Sequence, residues 1–255
     1  MKFELGLSGK KAVVVGGARG IGRATAEMFA SAGADVAICA RGADDVQQTV
    51  ESLASKGVSA IGDVVDVTEK EAYQSWVASC GEQLGGIDIL VVMASGVGGS
   101  VEEESWYANL ESTVLSASRG VEAAMPFLEK SEAGSIVLMS STSAIETFFA
   151  PQPYNALKAS LITYSSQLGQ ALGAQGIRVN CVSPGPTAFE GGNWDVIEQN
   201  APEIFQGVVE GFPQGRLGTA EEVANAVVFL SSPAASYISG SNLVVDGGYT
   251  KRVQF

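Results

Sequence analysis

Hydrophobic and polar positions along this chain follow two periods that take turns from end to end. Nearly uninterrupted apolar runs occur at Ala12–Val15, Asp35–Ala40, Val58–Val65, Ile87–Ala94, Ser135–Ser140, Arg178–Val182 and Leu243–Asp246. They read as strands covered on both faces. Between them, amphipathic stretches predict helices over about Gly20–Ala32, Ala43–Ser55, Glu69–Gln83, Glu103–Lys130, Gln152–Ala174 and Ala220–Ser231. Strand, helix and strand repeated in this way imply a parallel sheet joined by right-handed crossovers. No Pro/Gly/Ser linker or break in composition divides the chain. The pattern predicts one α/β domain over residues 1–255, a single doubly wound sheet with helices on both faces. A loop-and-helix insertion interrupts it at about 187–215.

Composition narrows the classes of partner. The 255 residues are 46% hydrophobic and 17% charged, which is ample for a globular core. A net charge of −13 would repel nucleic acid and anionic membrane surfaces, so neither is expected as a partner. The N-terminus Met1-Lys-Phe-Glu-Leu-Gly has no long apolar stretch, and no run reaches the ~18 apolar residues of a membrane span. Cys39, Cys80 and Cys181 are scattered without metal spacing and read as buried thiols in a reducing compartment; a cytoplasmic location is expected. The chain has no histidine, which removes imidazole catalysis and the commonest metal ligand, so no metal is expected.

The first strand runs into Val15-Gly-Gly-Ala-Arg-Gly-Ile-Gly22 and then a helix. Gly16, Gly20 and Gly22, with Ile21 between the last two, let the backbone turn sharply. A pyrophosphate can then approach the helix N-terminus, where free N–H groups and the dipole favour anions. This is the setting of a Rossmann-type dinucleotide site. The second strand ends Cys39-Ala40-Arg41, with no acid placed to hold a ribose 2′-hydroxyl. Arg41 offers a guanidinium to a 2′-phosphate instead, and Arg19 in the turn can join it, which favours NADP. NAD is the alternative, with Asp44 or Asp45 on the ribose.

The second constellation is Ser141, at the end of a buried strand, followed by Tyr154 and Lys158. Tyr154 and Lys158 fall at i and i+4 of a predicted helix and share a face. A carbonyl that accepts hydride needs a proton, and an alcohol that loses hydride needs a base. A free phenol has a pKa of ~10. An adjacent ammonium and an oxidised nicotinamide would draw it toward working pH, while the Ser141 hydroxyl holds the substrate oxygen.

The glycine spacing together with Tyr154-Asn-Ala-Leu-Lys158 resembles the short-chain dehydrogenase/reductase family over nearly the whole chain. Asp66-Val-Thr, Gly176-Ile-Arg-Val-Asn180, Ser183-Pro-Gly185 and Asp246-Gly-Gly248 also match. The resemblance implies an oxidoreductase that moves hydride between a nicotinamide cofactor and a carbonyl or secondary alcohol. It implies Asp66 and Val67 at the adenine, Lys158 and Tyr154 at the nicotinamide ribose, and Ala94, Pro184, Gly185 and Thr187 along the cofactor. Thr113 stands where the family carries an Asn that supports a proton-relay water, with Asn109 one turn earlier. Val92-Met-Ala-Ser95 replaces the usual Asn-Asn-Ala-Gly, and Phe189 takes the place of a Thr that contacts the cofactor amide.

In this family the insertion after Thr187 covers the substrate. Phe148, Phe149, Trp194, Phe205 and Phe212 would make its surroundings aromatic, suiting a small hydrophobic or aryl ketone, with Phe189 a further substrate contact and Ser143, Gln152 and Glu146 as polar contacts. Ketoacyl carrier-protein reductases share the motif, but a chain at −13 is a poor electrostatic match for an acidic carrier. A free small-molecule carbonyl or alcohol is the expected substrate. A nucleotide-sensing binding protein without turnover is the rival of a different class. The family usually packs the two long helices between subunits, so a homo-oligomer, dimer or tetramer, is expected, and the apolar ending Gly248–Phe255 could reach a neighbour.

Overall fold

The computed structural model describes residues 4–253. Gln254 and Phe255, the end of the tail expected to reach a neighbour, lie outside the described residues. Seven strands form one sheet: β1 (Lys11–Val15), β2 (Asp35–Ala40), β3 (Ala60–Val64), β4 (Ile89–Val92), β5 (Ser135–Met139), β6 (Arg178–Pro184) and β9 (Asn242–Val245). Their order is β3-β2-β1-β4-β5-β6-β9, and every pair is parallel. A two-residue pair, β7 (Thr187–Ala188) with β8 (Gly218–Thr219), stands apart.

The pleat explains why the strands read as continuous apolar runs. Val13 and Val15 point into the layer of α3 (Lys70–Leu84) and α5 (Ser116–Leu128), joined by Tyr73, Trp76, Val121 and Leu128. Ala12 and Val14 point the other way, onto α1 (Gly20–Ser31) and α9 (Ala220–Ser231), through Ala26, Phe29, Val223 and Val227. Both faces are dry, so neither strand parity can be polar. All three cysteines are buried and unbridged. The remaining helices are α2 (Ala43–Ala54), α4 (Glu103–Asn109), α6 (Pro153–Leu172), α7 (Asn193–Asn200) and α8 (Pro202–Gly211).

Several strand ends shift by one or two residues from the sequence pattern, and one helix departs from it further. β3 begins at Ala60 rather than Val58. The helix expected over Glu103–Lys130 is three pieces: α4, a π-helical turn at Leu110–Leu115, and α5. Hydroxyls crowd the wide turn. Ser112 donates to the Ala108 carbonyl at 2.6 Å and Ser116 to the Ser112 carbonyl at 2.7 Å. Such back-bonding competes for helix carbonyls and distorts the ladder, and π turns recur at functional sites. Here the distortion sits where Asn109 and Thr113 are both turned inward.

The chain direction across the sheet reverses between β1 and β4, which opens a crevice beyond their C-terminal ends. The turns leaving those two strands touch. A Cβ on Gly16, whose φ is +80°, would lie 3.0 Å from the Ala94 backbone nitrogen. At Gly22 a Cβ would collide with the Gly16 carbonyl, so that glycine lets α1 fold back against its own turn.

Candidate active site

Beyond β1, the amides of Gly16 and Gly17 both donate to the Cys39 carbonyl, at 2.9 and 3.1 Å, tying the glycine turn to β2. α1 starts at Gly20 with no side-chain cap, which leaves its first amides directed at the crevice. A glycine turn held open in this way, with an uncapped helix behind it, fits the pyrophosphate of a dinucleotide.

The flanking residues have more partners than the sequence suggested. Arg19 donates to the Gly191 carbonyl at 2.9 Å and lies 3.8 Å from the Asp45 carboxylate. Arg41 is exposed at the end of β2. Asp66 accepts from the Thr68 amide and hydroxyl at 2.9 and 2.8 Å. Those bonds, with a smaller contribution from Arg41, hold its carboxyl below the usual range. Val67 is half-buried against the core. Ile21 packs on both the α1–α9 core and a small cluster of Ala24, Ala220 and Ala224. Pro184 ends β6, the Gly185 amide donates to Val245 at 2.9 Å, and the Thr187 hydroxyl is bonded to the Gly185 carbonyl at 2.9 Å.

The hydroxyl set lies beyond β5. The Ser140 hydroxyl donates to the Lys158 carbonyl at 2.7 Å, and Lys158 Nζ donates to the Met139 carbonyl at 2.7 Å. These reciprocal bonds clamp α6 to the strand end. Ser141 Oγ accepts from the Ser143 amide at 3.2 Å and the Ser143 hydroxyl at 2.9 Å. The Tyr154 hydroxyl is a further hydrogen-bond partner of Ser141. Lys158 is 1% exposed, with Nζ 5.7 Å from the Tyr154 ring centroid.

Burial acts on both titratable groups of this set. Burial raises the Tyr154 phenol above its ordinary value, and the Ser141 hydrogen bond offsets this only in part. Lys158 bears the opposite effect: burial brings its ammonium down to about 8, with slight opposition from Cys181. Desolvation is therefore the largest influence on both groups.

The loop after β4 joins the two halves of the site. Ala94 meets Gly16 at one end, while a Cβ on Gly98 would lie 3.8 Å from the Tyr154 ring at the other. Thr113 Oγ1 accepts from the Gly96 amide at 3.1 Å. Asn109 Nδ2 donates to the Val97 and Ser105 carbonyls at 3.2 and 3.0 Å, and its Oδ1 is buried without a protein partner. Thr113 and Asn109 thus both hold this loop, from successive turns of the distorted helix. Gln152, expected at the substrate, accepts from the Gly99 amide of the same loop.

Most of the expected aromatic residues gather. Phe148 meets Phe149, Trp194 and Tyr249 edge-on at 4.2, 6.3 and 6.3 Å between ring centroids, and Tyr249 stacks on Phe212 at 4.4 Å. Phe205 packs in the same cluster. Phe189 does not join them. Its ring lies over the glycine turn, where a Cβ on Gly20 would come within 2.6 Å, and it packs against Ala24, Ala220 and Ala224. Residue 189 sits next to the Arg19–Gly191 bond, so this part of the insertion straps the cofactor side of the crevice. Two hollows border the 142–151 loop: one of about 170 Å³ with Glu146, Phe148 and Tyr249, and a shallower groove of about 470 Å³ along Ser143–Pro151. Tyr249 was missed in the sequence, although it directly follows the Asp246-Gly-Gly248 motif.

Residues 16–250 match the family described as Enoyl-(Acyl carrier protein) reductase. Isoepoxydon dehydrogenase of Penicillium expansum is 37% identical over the full length of both chains. Dehydrogenase/reductase SDR family member 4 of Oryctolagus cuniculus is 37% identical over 97% of this chain and 96% of its own. Among solved structures, L-sorbose reductase of Gluconobacter frateurii, complexed with NADPH and L-sorbose, superposes with a TM-score of 0.91. It is 32% identical and covers 98% of this chain and 100% of its own. The chain therefore belongs to the short-chain dehydrogenase/reductase family, and is an NAD(P)-dependent oxidoreductase of alcohol and carbonyl groups.

The depressed Lys158 ammonium has a measurable signature. Folded, it loses its proton near pH 8; unfolded, it keeps it to about 10.4. Between those values the unfolded chain binds more protons, so this residue adds stability as pH rises through the window. Lys158→Met removes a desolvated charge, and should raise stability at pH 7 by about 1–3 kcal/mol, an advantage that shrinks toward pH 10. Denaturation of both proteins across pH 7–10 checks this; a less stable variant with a constant difference would contradict it.

Proposed function

We propose that this chain uses NADPH to reduce the carbonyl of a small, predominantly apolar ketone, and can run the reverse oxidation. The observation that carries the reading is the Ser141–Tyr154 hydroxyl pair beside a buried Lys158, one loop away from an open glycine turn. When bound, the reduced nicotinamide supplies the hydride. Ser141 and Tyr154 hold the substrate oxygen between them. Tyr154, kept protonated by its burial, gives that oxygen the proton it needs as negative charge develops. The Lys158 ammonium then faces the phenolate left behind and favours it. Thr113 and Asn109 keep the intervening loop in register, and the buried, unpartnered Asn109 Oδ1 suits a relay water there.

The NADPH preference rests on Arg41 and Arg19 at the mouth of the crevice. NAD is a second reading favoured by one observation: Asp45 stands 3.8 Å from Arg19, where it opposes a 2′-phosphate. Residues 187–215 cover the cofactor side through Phe189 and the substrate side through Trp194. L-sorbose as the ligand of a structural neighbour is consistent with a small carbonyl substrate. A homo-oligomer is supported by the exposed Trp106, Tyr107 and Leu110 on the helical run after residue 103. A cytoplasmic setting is supported by three unbridged buried thiols. Among the described residues, no helix is long and apolar enough to cross a membrane.

Two variants test the reading. Tyr154→Phe should lower kcat for ketone reduction by about 10²–10⁴-fold with NADPH affinity retained; near-normal turnover would remove the proposed acid, and a wild type without turnover would favour a nucleotide sensor. Arg41→Ala should weaken NADPH binding by about tenfold and leave NADH binding within about twofold, as expected for a lost charge-assisted phosphate contact. Titration of both dinucleotides checks this, and unchanged NADPH affinity defeats the assignment.

A further inference from the structure

The hollow of about 170 Å³ begins one residue past Ser141, at Thr142, and is closed by Glu146, Phe148, Gly211 and the 249–251 segment. Its walls are apolar on one side and polar on the other. The Phe148 edge faces Tyr249, and Tyr249 is fixed by stacking on Phe212. Gly211 is what admits that ring: a Cβ there would lie 2.9 Å from the Tyr249 edge. Glu146 Oε2 accepts the Lys251 amide at 2.9 Å, and Lys251 Nζ donates to the carbonyl of Gly211, another lining residue, at 3.2 Å. One carboxylate oxygen is thus committed to the chain, and Glu146 also lines the cavity.

Tyr249 supplies the complementary group. Burial, with the nearby Glu146 charge, raises its phenol, so it stays protonated and can donate. A carboxylate acceptor and a phenol donor side by side suit a group that both gives and takes a hydrogen bond, which is an alcohol. A hydrocarbon would strip water from both groups and leave them unpaired.

We propose that Glu146 and Tyr249 form a hydroxyl-recognition subsite, and that the substrate is a hydroxylated ketone whose carbonyl sits at Ser141 and Tyr154. This rests on the carbonyl-reductase reading and refines it: the ring or chain of the substrate lies against Phe148 while a remote hydroxyl reaches the Glu146–Tyr249 pair. The substrate class is a hydroxy-ketone, or a diol in the reverse direction, rather than a plain aryl ketone.

The test compares cyclohexanone with 2-, 3- and 4-hydroxycyclohexanone, using the full chain and NADPH. At least one hydroxylated isomer should exceed cyclohexanone in kcat/KM by about tenfold or more, as a site built to bond a hydroxyl discriminates against its absence. Glu146→Gln keeps an oxygen for the Lys251 amide and turns a donor toward the cavity; Tyr249→Phe removes the donor. Both should bring that ratio to within about threefold of one. A wild type with no preference, or a preference that survives in both variants, overturns the subsite. Tryptophan-fluorescence titration with cyclohexanol and the matching cyclohexanediols applies the same ratio without turnover. Absence of turnover on every ketone would count against the reductase reading, while the binding ratio would still decide the subsite.

Discussion

A buried ammonium has to find a carbonyl, and here that requirement sets the geometry of the whole site. Lys158 is inside the protein, where an unpaired charge would be prohibitive. It donates to the Met139 carbonyl at the end of β5, and its own carbonyl accepts from Ser140. The two bonds fix the rotation of α6 about its axis, so Tyr154, one turn earlier, must present its hydroxyl to Ser141. The parallel sheet puts β5 next to β4, and β4 next to β1. The loop leaving β4 therefore spans from the glycine turn to the Tyr154 ring, and the proposed hydride and proton sources are neighbours by topology.

Desolvation then divides the roles. It raises the phenol and lowers the ammonium, so two groups of nearly equal proton affinity in water are driven apart, and the phenol holds its proton more tightly than the ammonium does. A phenol that begins protonated suits reduction, where the substrate oxygen has to receive a proton. The price is a charged side chain held in an apolar interior, which fits a stability–activity trade-off at the catalytic centre.

Much of this was legible in the sequence, because both-face burial leaves continuous apolar strands and a glycine turn has few substitutes. Ser141, Tyr154 and Lys158 were found from the end of a buried strand and an i, i+4 pair. Periodicity failed at Leu110–Leu115, since hydroxyl back-bonding to helix carbonyls leaves no trace in a hydrophobic pattern. Phe189 was expected at the substrate because apolar character says what a side chain avoids and not which wall it meets. Glu146 was visible as a polar contact, but its pairing with the 249–251 segment was not, because that comes from contact between segments about a hundred residues apart.

One measurement bears most directly on hydride arriving at a carbon whose oxygen is held by Ser141 and Tyr154. Single-turnover reduction of a hydroxycyclohexanone with nicotinamide deuterated at C4, followed by NMR of the product, locates the transferred atom. Deuterium on the carbinol carbon is the predicted result. Deuterium retained by the nicotinamide, or a reduced product without deuterium on the carbinol carbon, would contradict it.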